Sequence, residues 1–312
     1  MIKDKINENN KNNIEMTGTV LNKADIDNNY TNTKKDNLSK KIINENCGDA
    51  IKRKFKELKT GNRKGFIPFV TCGYPNLEDY IKLVNALDKN GADIVEIGIP
   101  FSDPLADGSI IQSTSKIALD GGINTDIVFN SVNEIRDKSA VPIVLMAYFN
   151  TVYKYGIEKF LYNASISGVN GLIIPDLPME EFLNYRDYFK DSPINNILLA
   201  SLTSSEERLR KISSLSEGFL YCVSVKGVTG VRNTVNPEVI DFLKKLKNIT
   251  SIPLALGFGI SAIEQVNEVK TYCDAIIMGS KILSLLINSD NFKDGLKDIE
   301  RFVCEINLSL KS

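Results

Sequence analysis

The chain contains no histidine anywhere in its 312 residues. That absence removes Ser-His-Asp hydrolysis, Cys-His nucleophilic catalysis and histidine-ligated zinc, because each of them requires an imidazole. Proton transfer near neutral pH must then fall to Glu, Asp, Lys, Tyr or Cys with a displaced pKa. Cysteine is sparse. Cys47, Cys72, Cys222, Cys273 and Cys304 are scattered and form no C-x-x-C pair, so reduced thiols in a reducing compartment are expected. Apolar runs are no longer than a strand, so no membrane-spanning segment and no membrane partner are expected. Charge of one sign is also lacking: the net charge is −1, and no basic tract is dense enough for nucleic acid.

What is present divides into two materials. Residues 1–46 are about a quarter Asn, with mixed Lys, Asp and Glu and few apolar side chains. Such a segment cannot bury enough surface to offset the entropy of ordering, which predicts a disordered Asn-rich extension. Its acids and its lack of arginine are unlike a transit peptide, so organellar targeting is the weaker reading and a cytoplasmic protein is expected. Residues 47–312 are periodic, and the 43% hydrophobic content of the chain suffices for a full core. Ile51, Phe55 and Leu58 fall at helical spacing, predicting an opening amphipathic helix that plugs one end of a barrel. Strands are then predicted at 66–71, 93–99, 142–148, 171–175, 196–201, 219–224, 253–258 and 275–278. Helices are predicted between them at 77–90, 125–139, 157–167, 180–190, 205–215, 237–246 and 261–272, with 280–308 closing the chain. Eight strand–helix units predict an α/β fold of the (β/α)8 TIM barrel class. The competing doubly wound sheet is disfavoured because no G-x-G-x-x-G follows the first strand.

The organising stretch is 94–111, IVEIGIPFSDPLADGSII. Its β-branched residues predict a buried parallel strand, yet Glu96 interrupts them. A buried carboxylate costs several kcal/mol unless it is paired or protonated, so it needs a structural partner or a chemical use. Gly98 shares its strand face and is expected to leave room beside the carboxylate. The following loop presents Asp107. In a barrel the site gathers at the C-terminal ends of the strands, where Phe69, Thr71, Met146, Tyr148 and Tyr221 end neighbouring strands and are able to wall a partly aromatic pocket. Each of those side chains is also an ordinary barrel-core residue on pattern alone. Three late loops are glycine-rich: Lys226 to Gly230, Gly257 to Ser261, and Gly279-Ser280. Barrels commonly hold phosphate there, on backbone N–H groups at a helix start.

The same residues carry a family resemblance. FIPFVTCGYP at 66–75, GADIVEIGIPFSDPLADG at 91–108, MAYFN at 146–150, IIPDLP at 173–178, SVKGVTG at 224–230, LGFGIS at 256–261 and MGS at 278–280 resemble the tryptophan synthase alpha chain family. The likeness runs through the chain from about Cys47 onward. It implies a lyase that cleaves indole-3-glycerol phosphate, by a retro-aldol step, to indole and glyceraldehyde 3-phosphate in tryptophan biosynthesis. It places Glu96 and Asp107 at the catalytic positions, and Phe69, Thr71, Met146, Tyr148, Ile173, Tyr221 and Thr229 around the substrate. Gly230, Gly257, Phe258, Gly259, Gly279 and Ser280 fall at the phosphate. No metal and no cofactor are implied for this chain; pyridoxal phosphate is expected only in a beta-chain partner, with which the family forms an alpha2-beta2 assembly. Two positions depart from the pattern: Tyr74 stands where the family usually has Asp, and Ser109 where it usually has Pro. Two other readings stand beside this one. One is a stand-alone lyase releasing free indole; the other is a Schiff-base aldolase using Lys226.

Overall fold

A computed structural model describes residues 49–223, 235–257 and 259–311. The extension at 1–46 lies outside them, as do Lys226, Thr229, Gly230 and Phe258. The first described element is the predicted amphipathic helix, α1 (Asp49–Thr60), with Ile51, Phe55 and Leu58 buried. β1 (Gly65–Thr71) is buried along its whole length, as a strand covered on both faces must be. There follow α2 (Leu77–Lys89), β2 (Val95–Gly98), α3 (Ser109–Asp120), α4 (Thr125–Arg136), β3 (Ile143–Met146), α5 (Phe149–Tyr155) and α6 (Ile157–Ser167). β4 (Gly171–Ile173) leads to α7 (Met179–Lys190), and β5 runs in two segments, Asn195–Ile197 and Leu199–Ser201. The chain continues through α8 (Glu206–Leu215), β6 (Leu220–Val223), α9 (Pro237–Ile249), β7 (Leu254–Gly257), α10 (Ile263–Val269), β8 (Ala275–Met278), α11 (Ser280–Ile287) and α12 (Phe292–Leu310).

The eight strands pair in parallel in sequence order, and β1 pairs with β8. The first segment of β5 pairs with β4, at Ile173↔Ile197, and the second with β6, at Leu199↔Tyr221. The ladder passes from one neighbour to the other at Leu198, so the sheet closes on itself as a (β/α)8 barrel. Pro68 has no N–H to give, and it sits where β1 changes partner: β8 pairs with Gly65 to Pro68, β2 with Phe69 to Thr71.

Two features fix the ends of the barrel. α1 closes the N-terminal end, where the Phe55 ring lies 5.8 Å from Phe219. Cβ atoms on Gly171 and Gly218 would stand 3.0 and 3.1 Å from Ile51, so those glycines make space for the plug. Four of the described outer helices start on side-chain caps that the Asn content supplies: Asn76, Asn124, Asn236 and Asn291 each accept a backbone N–H of the first turn. The sequence pattern missed α3 and α5, both lying in what read as loops. It also ran two helices into one at the C-terminus, where Asn291 caps a new start. No described helix is long and apolar enough to cross a membrane.

Candidate active site

Glu96 is fully buried in the middle of β2. It is level with Phe69 on β1 and Val144 on β3. Among the described residues, neither carboxylate oxygen has a hydrogen-bond partner. Loss of hydration, and secondarily the charge of Asp107, push its pKa up to about 8. The side chain is therefore a neutral acid at pH 7, which resolves the cost of placing a carboxylate in a strand.

Asp107 sits half-buried at the end of the loop that joins β2 to α3. Burial raises it to about 6, and a hydrogen bond from Tyr148 works in the opposite sense. The two carboxyl groups thus differ in state at neutral pH, one protonated and one ionised. Tyr221, buried on β6, feels both: burial first, then the charges of Glu96 and Asp107, raise its phenol well above the usual range. Tyr148 is raised as well, by burial and then by Asp107. Four titratable groups from β2, its loop, the start of α5 and β6 therefore converge at the C-terminal end of the barrel, where barrel active sites lie.

The apolar walls are set by glycines. Gly98 gives room to Phe69 rather than to the carboxylate: a Cβ there would stand 2.5 Å from the tip of the Phe69 ring. On the other side of the ring, a Cβ on Gly279 would stand 3.0 Å away. Phe69 is thus held between β2 and the start of α11, joining the acid end of the site to the glycine loops. Gly257 does the same for Tyr221, whose ring would lie 2.5 Å from a Cβ. Met146 and Ile173 are buried one level above Glu96, opposite one another on β3 and β4. Thr71 is also buried, but its hydroxyl is shared with Thr114 of α3 at 2.8 Å, so it anchors that helix to β1.

At the glycine loops, Gly279 is the N-cap of α11 and exposed Ser280 its first residue. Gly259 has φ +81°, a conformation that glycine adopts without strain, and open space where a side chain would stand. The N–H groups of Ser261 and Ala262 are taken by the Gln265 side-chain oxygen, at 2.8 and 3.2 Å. Those two N–H groups are therefore already engaged within the chain. A separate recess of about 780 Å³, lined by Lys52, Arg210 and Glu217 among others, lies at the N-terminal end of the barrel, away from both carboxylates.

A family model for the tryptophan synthase alpha chain matches residues 55–310. The chain belongs to the tryptophan synthase alpha chain family. It is 43% identical over 263 residues to the tryptophan synthase alpha chain of Clostridium kluyveri, covering 84% of this chain and 100% of that one. The Clostridium beijerinckii protein of the same name is 44% identical over 264 residues, again covering 84% and 100%. Among solved structures, tryptophan synthase subunit alpha of Legionella pneumophila superposes with a TM-score of 0.77 at 31% identity, over 84% of this chain and 98% of that one. Tryptophan synthase from M. tuberculosis in its ligand-free form gives 0.75 at 26% identity, over 84% and 99%. Tryptophan synthase alpha chains are lyases that cleave indole-3-glycerol phosphate to indole and glyceraldehyde 3-phosphate.

Sequence reasoning missed three residues at this site. Phe101 stacks on Tyr148, Gln112 reaches back to the Asp107 loop, and Thr114 pairs with Thr71. Gln112 and Thr114 belong to α3, whose apolar Ile110, Ile111 and Ala118 at helical spacing were the available signal.

Proposed function

We propose that this chain carries out the alpha-chain cleavage with Glu96 as the proton carrier and Asp107 as the acceptor for the indole N–H. The supporting observation is Glu96 itself: buried, with both oxygens unbonded, protonated at neutral pH and close to an ionised Asp107. Cleavage needs a proton on indole C3 and the removal of one from the hydroxyl of the adjacent glycerol carbon. Neutral Glu96 gives its proton to C3, forming the indolenine tautomer, while anionic Asp107 stabilises the positive charge that spreads to the ring nitrogen. Glu96, now a carboxylate in an apolar site, takes the hydroxyl proton as the C3–glycerol bond breaks. The bond electrons return to the ring, the glycerol carbon becomes an aldehyde, and Glu96 ends protonated as it began. These steps need no metal and no organic cofactor.

Phe69, Met146, Ile173 and Tyr221 form the apolar wall for the indole, with Tyr148 at its rim. The phosphate is assigned to Gly257, Gly259, Gly279 and Ser280; Gly230 and Phe258, assigned to the phosphate as well, and Thr229, assigned to the substrate, lie outside the described residues. A beta chain is the proposed partner, with pyridoxal phosphate on that chain alone. In support, Leu105 at the tip of the Asp107 loop is 95% exposed and Tyr153 on α5 is 60% exposed, both at the catalytic rim. A cytoplasmic location accords with these roles.

The test is release of indole from indole-3-glycerol phosphate by the isolated chain, repeated with a beta chain added. Cleavage that rises severalfold with the beta chain is expected. Full activity alone, unchanged by the partner, would instead identify a stand-alone lyase. An adduct trapped by borohydride with substrate would replace the carboxylate mechanism by a Schiff base on lysine.

A further inference from the structure

The loop that carries Asp107 is held by side chains that are not part of it. Tyr148, buried at the N-cap of α5, accepts the Ala106 N–H on its phenol oxygen at 3.0 Å. Its ring stacks on Phe101, at the other end of the same loop, with 4.9 Å between centroids and 21° between planes. From the opposite side, Gln112 in the first turn of α3 sends its amide nitrogen back to the Asp107 carbonyl at 2.9 Å and to the Pro104 carbonyl at 3.4 Å. The loop's own bonds, Asp107 N–H to the Pro104 carbonyl and Leu105 N–H to the Asp103 carbonyl, close only local turns. α3 itself begins at Gly108, which has no side chain to cap it. Nothing in its first residue therefore fixes where the helix starts, and Gln112 supplies that restraint from within the helix.

We propose that Tyr148 and Gln112 are positioning residues that hold the Asp107 loop in its working place before substrate binds. The proposal rests on the role assigned to Asp107 above. The physical reason is preorganisation: an acceptor placed to the nearest ångström works without the cost of ordering its loop in the transition state. Tyr148 serves doubly, because its hydroxyl also favours the anionic form of Asp107 against burial. The two grips act on different atoms, an N–H at residue 106 and the carbonyls at 104 and 107. Loss of either hydrogen-bonding grip leaves the loop with the other and with the Phe101 stack.

Two substitutions separate positioning from pocket-lining. Tyr148→Phe keeps the ring and its stacking and removes only the oxygen. Gln112→Glu keeps the shape and replaces the amide donor with an acceptor. In the substrate-free protein, Tyr148→Phe is expected to speed hydrogen exchange at the Ala106 amide by about tenfold or more, since that bond has lost its acceptor. In the cleavage assay, kcat is expected to fall about 10- to 100-fold for Tyr148→Phe and about tenfold for Gln112→Glu, with KM changed less than about threefold. The acidic limb of the pH profile should move to higher pH in Tyr148→Phe. Wild-type exchange at Ala106, or a rise in KM at unchanged kcat, would overturn the proposal and leave Tyr148 as a wall. If the unmodified chain releases no indole, the function above fails, while the exchange measurement still decides whether the loop is gripped.

Discussion

Replacing Glu96 with Gln should abolish the chemistry and should stabilise the fold at alkaline pH but not near pH 5. In the folded protein Glu96 titrates near 8 against an ordinary 4.5. Below 4.5 it is protonated in both states and contributes no pH dependence. Between 4.5 and about 8 the folded state holds a proton that the unfolded state has released, so stability falls as pH rises. Over about 3.5 pH units at ~1.4 kcal/mol each, the wild-type chain loses on the order of 5 kcal/mol that a glutamine does not lose. The buried amide carries a fixed cost of about 1–3 kcal/mol for its unbonded groups, the same at every pH. The variant should therefore match or trail the wild type near pH 5 and exceed it by about 2–4 kcal/mol at pH 8. Urea unfolding of both proteins at pH 5, 6, 7 and 8, followed on the transition that leaves the native state, measures the difference, in which titrating groups not coupled to Glu96 cancel. A difference that stays constant across the four pH values would refute the protonated Glu96. Retention of indole release by the same variant would refute its role in proton transfer.

The remaining expectations are shorter. kcat/KM should be bell-shaped, rising through about 6 as Asp107 ionises and falling through about 8 as Glu96 loses its proton. Asp107→Asn should lower kcat by about 10²–10³ and remove the rising limb, since no charge remains to titrate there; an unchanged limb would assign it to another group. Gly98→Ala should cost about 1–3 kcal/mol by overpacking and should raise KM, because the new methyl occupies the place of the Phe69 ring. Thermal melts and steady-state kinetics read both. Leu105→Ser should leave stability within about 0.5 kcal/mol, as its side chain is exposed. The activation of cleavage by an added beta chain should nonetheless weaken, and undiminished activation would place the partner elsewhere.

Much of this protein is written in local pattern. Continuous apolar runs of strand length alternating with amphipathic segments specify eight strands and most of the outer helices, because burial on both faces of a parallel strand leaves an unambiguous composition. The plug helix was legible from Ile51, Phe55 and Leu58 alone. Glu96 stood out for the same reason in reverse, as an acid where the pattern demands an apolar residue, and the lack of histidine directed the chemistry to it. Local pattern failed where the restraint is not local. α3 and α5 start at Gly108 and Tyr148, neither of which caps its helix through a side chain; Gln112 restrains the start of α3 from within the helix, and Asp176, far along the chain, accepts the Phe149 N–H at the start of α5. Gly98 read as space for the carboxylate, and the barrel uses it for a ring from the neighbouring strand. Only the tertiary structure decides the states of the two acids: Asp107 lies eleven residues from Glu96 in sequence, and the barrel brings it, Tyr148 and Tyr221 to one desolvated end. Desolvation and neighbouring charge set a pKa, and both are properties of position in space, to which the order of residues contributes only through the fold.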